Sequence, residues 1–217
     1  MKNIIFAFIL CLLIQGCAST LTLKLDPQAL NGQKEISQEG AKAVISQKKV
    51  DVTIRPSADA YSLEDRPAIV VSVYSMEEPF NFSTGDIQVF VDGNPHRVFT
   101  YDELVADIKE QETRSIEKAE GQREADFMTP GGGAMATTSS NKQLDVRINT
   151  IQRKTQKSLE DLDSTGLKNI RVLPYNQYSG HVTMEKIPNP AQPHEIKVIV
   201  RAAGEEHEFL LNHFKVQ

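Results

Sequence analysis

Ser46 and Lys49 stand at the Ser-x-x-Lys spacing, at which a lysine amine can draw the proton from a serine nucleophile. That chemistry needs the pair at the start of a helix with further polar groups converging on it. Here no Ser-Asp-Asn or Lys-Thr-Gly follows, and the run precedes an alternating strand pattern, so coincidence explains the match. Gly131, Gly132 and Gly133 have no Gly-Lys-Ser/Thr after them and no strand leading in, which excludes a phosphate loop, and no Gly-x-Ser-x-Gly occurs. The five histidines are His96, His181, His194, His207 and His213. His207 and His213 share a strand face but lie about 20 Å apart, too far for one metal. His194 and His213 fall opposite each other if the last two strands pair around Ala203-Gly204, and with a carboxylate they are candidate zinc ligands. The competing reading makes them surface residues capping the sheet's end. Glu77-Glu78 and Glu205-Glu206 fall beside turns and read as solvated loop charge. No residue is assigned to catalysis and no cofactor is expected.

These groups need elements to position them. Val50, Val52 and Ile54 alternate with Asp51, Thr53 and Arg55, the period of a strand with one wet face. Residues 68–74 form a continuous apolar, β-branched run, a buried strand. Phe80 and Phe82 alternate, and 87–91 runs into the turn Asp92-Gly93-Asn94-Pro95 before 97–99. Strand patterning returns at 169–173, 180–185, 194–201 and 206–216. In the last pair Ile196 faces Leu211, Val198 faces Phe209 and Val200 faces His207, leaving Glu195, Lys197, Arg201, Glu206 and Glu208 on the other face. Before residue 50 the chain is ambiguous: 21–25 alternates like a first strand, and the polar remainder reads as a tether or an irregular approach.

Between the two strand groups the period changes. Thr100 and Glu103 form a capping box that opens a helix over 101–124, and Ser140 and Gln143 form a second that opens one ending near 164, with Gly166 as its stop. Two helices of about 36 Å each, at 1.5 Å per residue, predict an antiparallel hairpin. The first is acidic and 142–157 is basic, which favours their pairing. Phe127, Met128 and Met135 lie in the Gly-rich tip, 125–139. Adaptable methionine suits contact surfaces, which makes these three candidate partner contacts; the alternative is a small satellite core over the helix ends. The fold expected is mainly β with an α insertion: an antiparallel Ig-like β-sandwich of seven to nine strands, built from 50–100 and 167–217, carrying the hairpin over 101–166. Two separate domains are the alternative, disfavoured because three or four strands make a poor core.

Residues 4–14 are unbroken apolar, half the roughly 20 needed to cross a bilayer and within the range of a signal-peptide core; with Lys2 as the one basic residue before it, an uncleaved short anchor is the alternative reading. The run ends in Ile14-Gln15-Gly16-Cys17, which resembles the lipobox of bacterial lipoproteins, with Gln15 a less usual occupant of its position. The resemblance covers these four residues and the run before them. It implies cleavage between Gly16 and Cys17, removal of 1–16, a diacylglycerol on the Cys17 thiol and an acylated amino group, so that 17–49 begins at the membrane. Two or three acyl chains hold firmly at about 0.8 kcal/mol per buried methylene. The other cysteine, Cys11, falls in the discarded segment, which leaves no disulfide; one bridge is the alternative, and it requires Cys11 to be retained. Ala18 and Ser19, with no aspartate, resemble the residues of lipoproteins sent to the outer membrane, there facing the periplasm.

Twenty-nine acidic against 24 basic residues give a net charge of −5, which speaks against nucleic acid, and the absence of tryptophan disfavours sugar stacking. The expectation is a lipid-anchored envelope protein, non-catalytic, that binds an envelope protein partner through the hairpin or the sandwich surface. The alternative is a periplasmic solute-binding or hydrolytic domain with a pocket among the sandwich loops, and an oligomeric spacer is a third reading.

Overall fold

The computed structural model describes residues 22–127 and 134–216, and the side chains of these spans outside 124–140. Two antiparallel sheets face each other across one core, and a helical hairpin is inserted between their strands. In chain order come β1 (Thr22–Gln28), β2 (Gln33–Gln38), β3 (Ala41–Gln47), β4 (Val50–Pro56), β5 (Tyr61–Ser62), β6 (Ala68–Ser75), β7 (Phe80–Phe82), β8 (Ile87–Val91) and β9 (Asn94–His96). The helices α1 (Tyr101–Phe127) and α2 (Ala134–Thr165) follow. Then come β10 (Ile170–Val172), β11 (Gln177–Thr183), β12 (His194–Ala202) and β13 (Glu205–Val216). One sheet runs β5-β1-β13-β12-β8-β9, the other β11-β6-β4-β3-β2, and β10 pairs with β7 alone.

The expected register of the last hairpin is observed, with Ile196, Val198 and Val200 opposite Leu211, Phe209 and His207. All six are buried, whereas Glu195, Arg201, Glu206 and Glu208 are exposed. β6 is buried at six of its eight residues, as its unbroken apolar run requires. Three hairpins close on two-residue turns with both residues at positive φ: Glu39-Gly40, Asp92-Gly93 and Ala203-Gly204. This is the geometry that matches strand twist, and glycine occupies the second position each time.

The structure departs from the sequence reading in four places. Thirteen strands are described, because residues 22–47, read as a strand plus tether, form β1, β2 and β3. β2 is an edge strand with its middle exposed, so its residues are polar and carry no core signature. Residues 97–99 make a single bridge, Val98 to Met184, in place of a strand. The Ser140 box does not start α2: helix already runs from Ala134, through the helix formers Ala134, Met135 and Ala136. The expected 15-residue tip therefore loses residues to both helices, which extend for about 40 and 48 Å at 1.5 Å per residue. Among the described residues no ion pair joins the two helices either. Among the described residues the side-chain links between the helices, apart from the pair at their base, are Arg123 to Asn141 and Arg147 to Gln122, each 3.4 Å. Lys142, Arg153, Lys154 and Lys157 are on the exposed side of α2. Among the described residues Ala119 and Leu144 are the buried ones of the seam.

Candidate functional site

The helical arm leaves the sandwich from one root. Thr100 and Glu103 cap α1 reciprocally: the Glu103 carboxylate accepts from the Thr100 amide at 2.8 Å, and Thr100 Oγ1 accepts from the Glu103 amide at 3.3 Å. The Phe99 ring beside this cap is clasped between the guanidinium groups of Arg66 and Arg97, 4.3 and 4.6 Å from its centroid. Arg66 also pairs with Asp107 at 2.7 Å, and Arg97 with Glu103 at 2.8 Å. At the base Tyr101 donates to Asp163 at 3.0 Å, and Lys168 reaches the same oxygen. These two hydrogen bonds, Lys168 first, hold the Asp163 carboxyl below its ordinary range.

Both roots grip β11. The Phe99 amide donates to the Thr183 carbonyl and the Leu167 amide to the His181 carbonyl, each at 3.0 Å. Leu167 is planted in the core at 2% exposure and passes directly over Gly180, where a Cβ would stand 2.6 Å from the Leu167 Cα. Only glycine admits that crossing. Of the tip candidates, Met128 lies outside the described residues; Phe127 ends α1 and Met135 is in the first turn of α2, with side chains outside the described set. Gly16 and Cys17 also lie outside it. No helix among the described residues is long and apolar enough to cross a membrane.

A second cluster occupies the end of the six-stranded sheet. His194 and His213 lie opposite each other as the register requires, with ring centroids 5.6 Å apart, and Tyr61 stacks beyond His213 at 5.9 Å. They are not surface caps, since His213 is 0% exposed. His194 Nδ1 faces the Asp92 carboxylate at 2.7 Å and its Nε2 faces the Asn189 carbonyl at 3.1 Å. Both partners only accept, so the ring satisfies both only as the imidazolium. Burial opposes that charge, yet the Asp92 and Asn189 hydrogen bonds together raise the His194 pKa above its ordinary value. His213 is the reverse case. Neither of its ring nitrogens has a hydrogen-bond partner, and burial, with the charge of His194 beside it, pushes its pKa down to about 4. A Gln192 peptide group favours its proton without reaching bonding geometry. With both His194 nitrogens engaged, and no three metal-ligating side chains grouped among the described residues, the zinc arrangement is not assembled.

Ser46 turns out to face a histidine. Its hydroxyl lies 3.0 Å from His207 Nδ1, and Glu205 stands 4.0 Å from His207 Nε2. The residue types are those of a nucleophile, base and acid, but the geometry is that of a seam between the sheets. The same Glu205 oxygen already accepts from the amides of Lys49 and Val50 at 3.0 and 3.3 Å, and Lys48 reaches the Glu206 carbonyl at 2.5 Å. Ser46 is 6% and His207 0% exposed, so no substrate carbonyl reaches them. Burial, helped by Lys48, keeps the His207 pKa low. Glu205 is thus no solvated loop charge. A buried histidine was legible in the strand pattern, because His207 shares its face with Phe209 and Leu211; its partners across the sandwich were not.

The five-stranded sheet carries on its outer face a trough of about 280 Å³, lined by Ile45, Asp51, Thr53, Ser72, Tyr74 and Gln177. Ser72 and Ser179 share a hydrogen bond of 2.7 Å beside it. It lies on the sheet and not among the loops. Comparison of the chain with protein-family models, with curated proteins and with solved structures gave no match.

Proposed function

We propose that the protein is a lipid-anchored component of the bacterial cell envelope, held through Cys17 in the outer membrane and facing the periplasm, that acts by contact and not by catalysis. The observation that carries this reading is the arm: two helices of 27 and 32 residues that leave the sandwich at one clamped root. The arm adds little to the sandwich core, to which its root contributes Leu167, and exposes most of its surface, including Val146 at 59%. A long projecting pair of helices that is not needed for the core offers surface for a partner, with Val146 as its exposed large apolar side chain among the described residues. The partner expected is another envelope protein.

The test is in-cell photocrosslinking from Val146, Phe127 and Met135, with Lys197 on the wet face of the sandwich as control. A discrete adduct from arm positions alone supports the reading. Adducts equally from Lys197, or none from the arm, refute it. The trough over Thr53 and Ser72 favours a second reading, a site for a small neutral polyol between Asp51, Tyr74 and Gln177. That reading requires a thermal shift with such a solute that Asp51→Ala removes.

A further inference from the structure

The point at which the chain enters the fold has an apolar rim. Thr22, the first residue of β1, lies between Ser62 of β5 and Val216 of β13 in the sheet. Leu63, one residue past Ser62, is 42% exposed and Val216 is 38% exposed. Exposed large apolar side chains are few among the described residues, and two of them flank this entry from either side. Rested on the lipid-anchor reading above, their position acquires a meaning. Four residues, 18–21, separate Cys17 from Thr22, so the tether spans at most about 18 Å at 3.6 Å per residue. β13 alone, with 12 residues, carries the sheet roughly 40 Å away from Val216 to the Glu205 end. An anchor this short holds the near end of the sandwich at the bilayer and keeps the far end out of reach.

We infer that Leu63 and Val216, flanking Thr22, form a membrane-contact rim seated on the bilayer that holds the Cys17 anchor. The rim places apolar side chains where the short tether brings lipid, adding area to the acyl chains in holding the domain upright. It also sets the arm's root near the membrane, because Arg66, which pairs with Asp107 of α1, follows Leu63 by three residues.

The absence of tryptophan makes a direct test available. The full lipidated chain carrying Leu63→Trp is reconstituted into phosphatidylethanolamine and phosphatidylglycerol vesicles, with and without dibrominated acyl chains. The control is Tyr175→Trp, at a residue 76% exposed whose amide bonds the Ser75 carbonyl at the end of β6 away from the rim. The expected result is bromolipid quenching and a blue shift for Leu63→Trp and neither for Tyr175→Trp. Equal quenching of both, or of neither, overturns the rim. Val216→Trp serves in the same assay if Leu63→Trp does not fold. The intact mass of the purified protein separates the two levels. A diacylglyceryl Cys17 without quenching refutes the rim and leaves the anchor standing; an unmodified Cys17 refutes the anchor and the rim with it.

Discussion

His213 should make the fold acid-labile in a pH window set by one buried ring. It is fully buried, its nitrogens lack hydrogen-bond partners, the rings of Tyr61 and the charged His194 pack against it, and the His194 charge and the Gln192 peptide group are the neighbours that act on its proton. The folded state therefore holds it neutral, with a pKa near 4, while in the unfolded chain it titrates near 6.5. Because the folded pKa is the lower one, the unfolded chain binds this proton first as pH falls. The contribution to stability is complete above about pH 6.5 and is lost progressively down to about pH 4. The two pKa values set the loss at about 3 kcal/mol. The perturbation is His213→Leu, which keeps an apolar-sized side chain in the site and removes the titration. Urea unfolding of both proteins from pH 7.5 to 4.5 isolates the ring, since carboxylates and His207 contribute to each alike. Native stability should fall more steeply than that of the variant, by about 2 kcal/mol or more over the range. Parallel curves, or a His213 Hε1 resonance titrating near 6.5 in the native protein, would refute the reasoning.

His194 carries the opposite sign: its raised pKa gives stability that is present at acid pH and lost as pH rises through that value, so His194→Gln should flatten the alkaline side of the profile. Leu167→Ala empties a core position and should cost about 2–5 kcal/mol in urea unfolding. It should also speed hydrogen exchange at the Leu167 amide relative to β12; an unchanged amide would mean that the root is held elsewhere. Ser46→Ala strands His207 Nδ1 in the core and should cost about 1–3 kcal/mol, with no change in a far-ultraviolet spectrum at neutral pH. Cys17→Ser should move the protein from the membrane fraction to the soluble one, and retention in the membrane would contradict the proposed anchor.

How much of this could be read from the chain depended on whether a residue answers to its neighbours in sequence or to a distant sheet. Val198, Val200 and Phe209 reveal a strand by alternation, and the turn Ala203-Gly204 fixes their register, so the meeting of His194 with His213 was derivable. That His213 would lie sealed beneath Tyr61 was not, because β5 is two residues long and carries no period. Gln33–Gln38 reads as polar because an edge strand has little to bury. Thr100 and Glu103 announced the start of α1 through a local cap, whereas the start of α2 was misplaced because Ser140-Asn141-Lys142-Gln143 imitates a cap inside a helix. Ser46, His207 and Glu205 are joined across about 160 residues of sequence, a separation at which no local pattern survives.

The two feet of the arm stand side by side on one strand, at Thr183 and His181, along the edge of β11 that β6 leaves free. Mechanically, the arm is a lever whose fulcrum is a single strand. A sideways load at its far end, some 40 Å out, is delivered as torque to β11 and must be borne by its seven-residue pairing with β6. A load along the arm instead pulls on Leu167, which is buried in the core, and on Phe99 between its two arginines. The feet are also two residues apart, about 7 Å along the strand. A short connection could bridge that gap and leave both contacts with β11 in place. The arm is in this sense an appliance fitted to the sandwich, open to lengthening, exchange or loss while its socket stays the same.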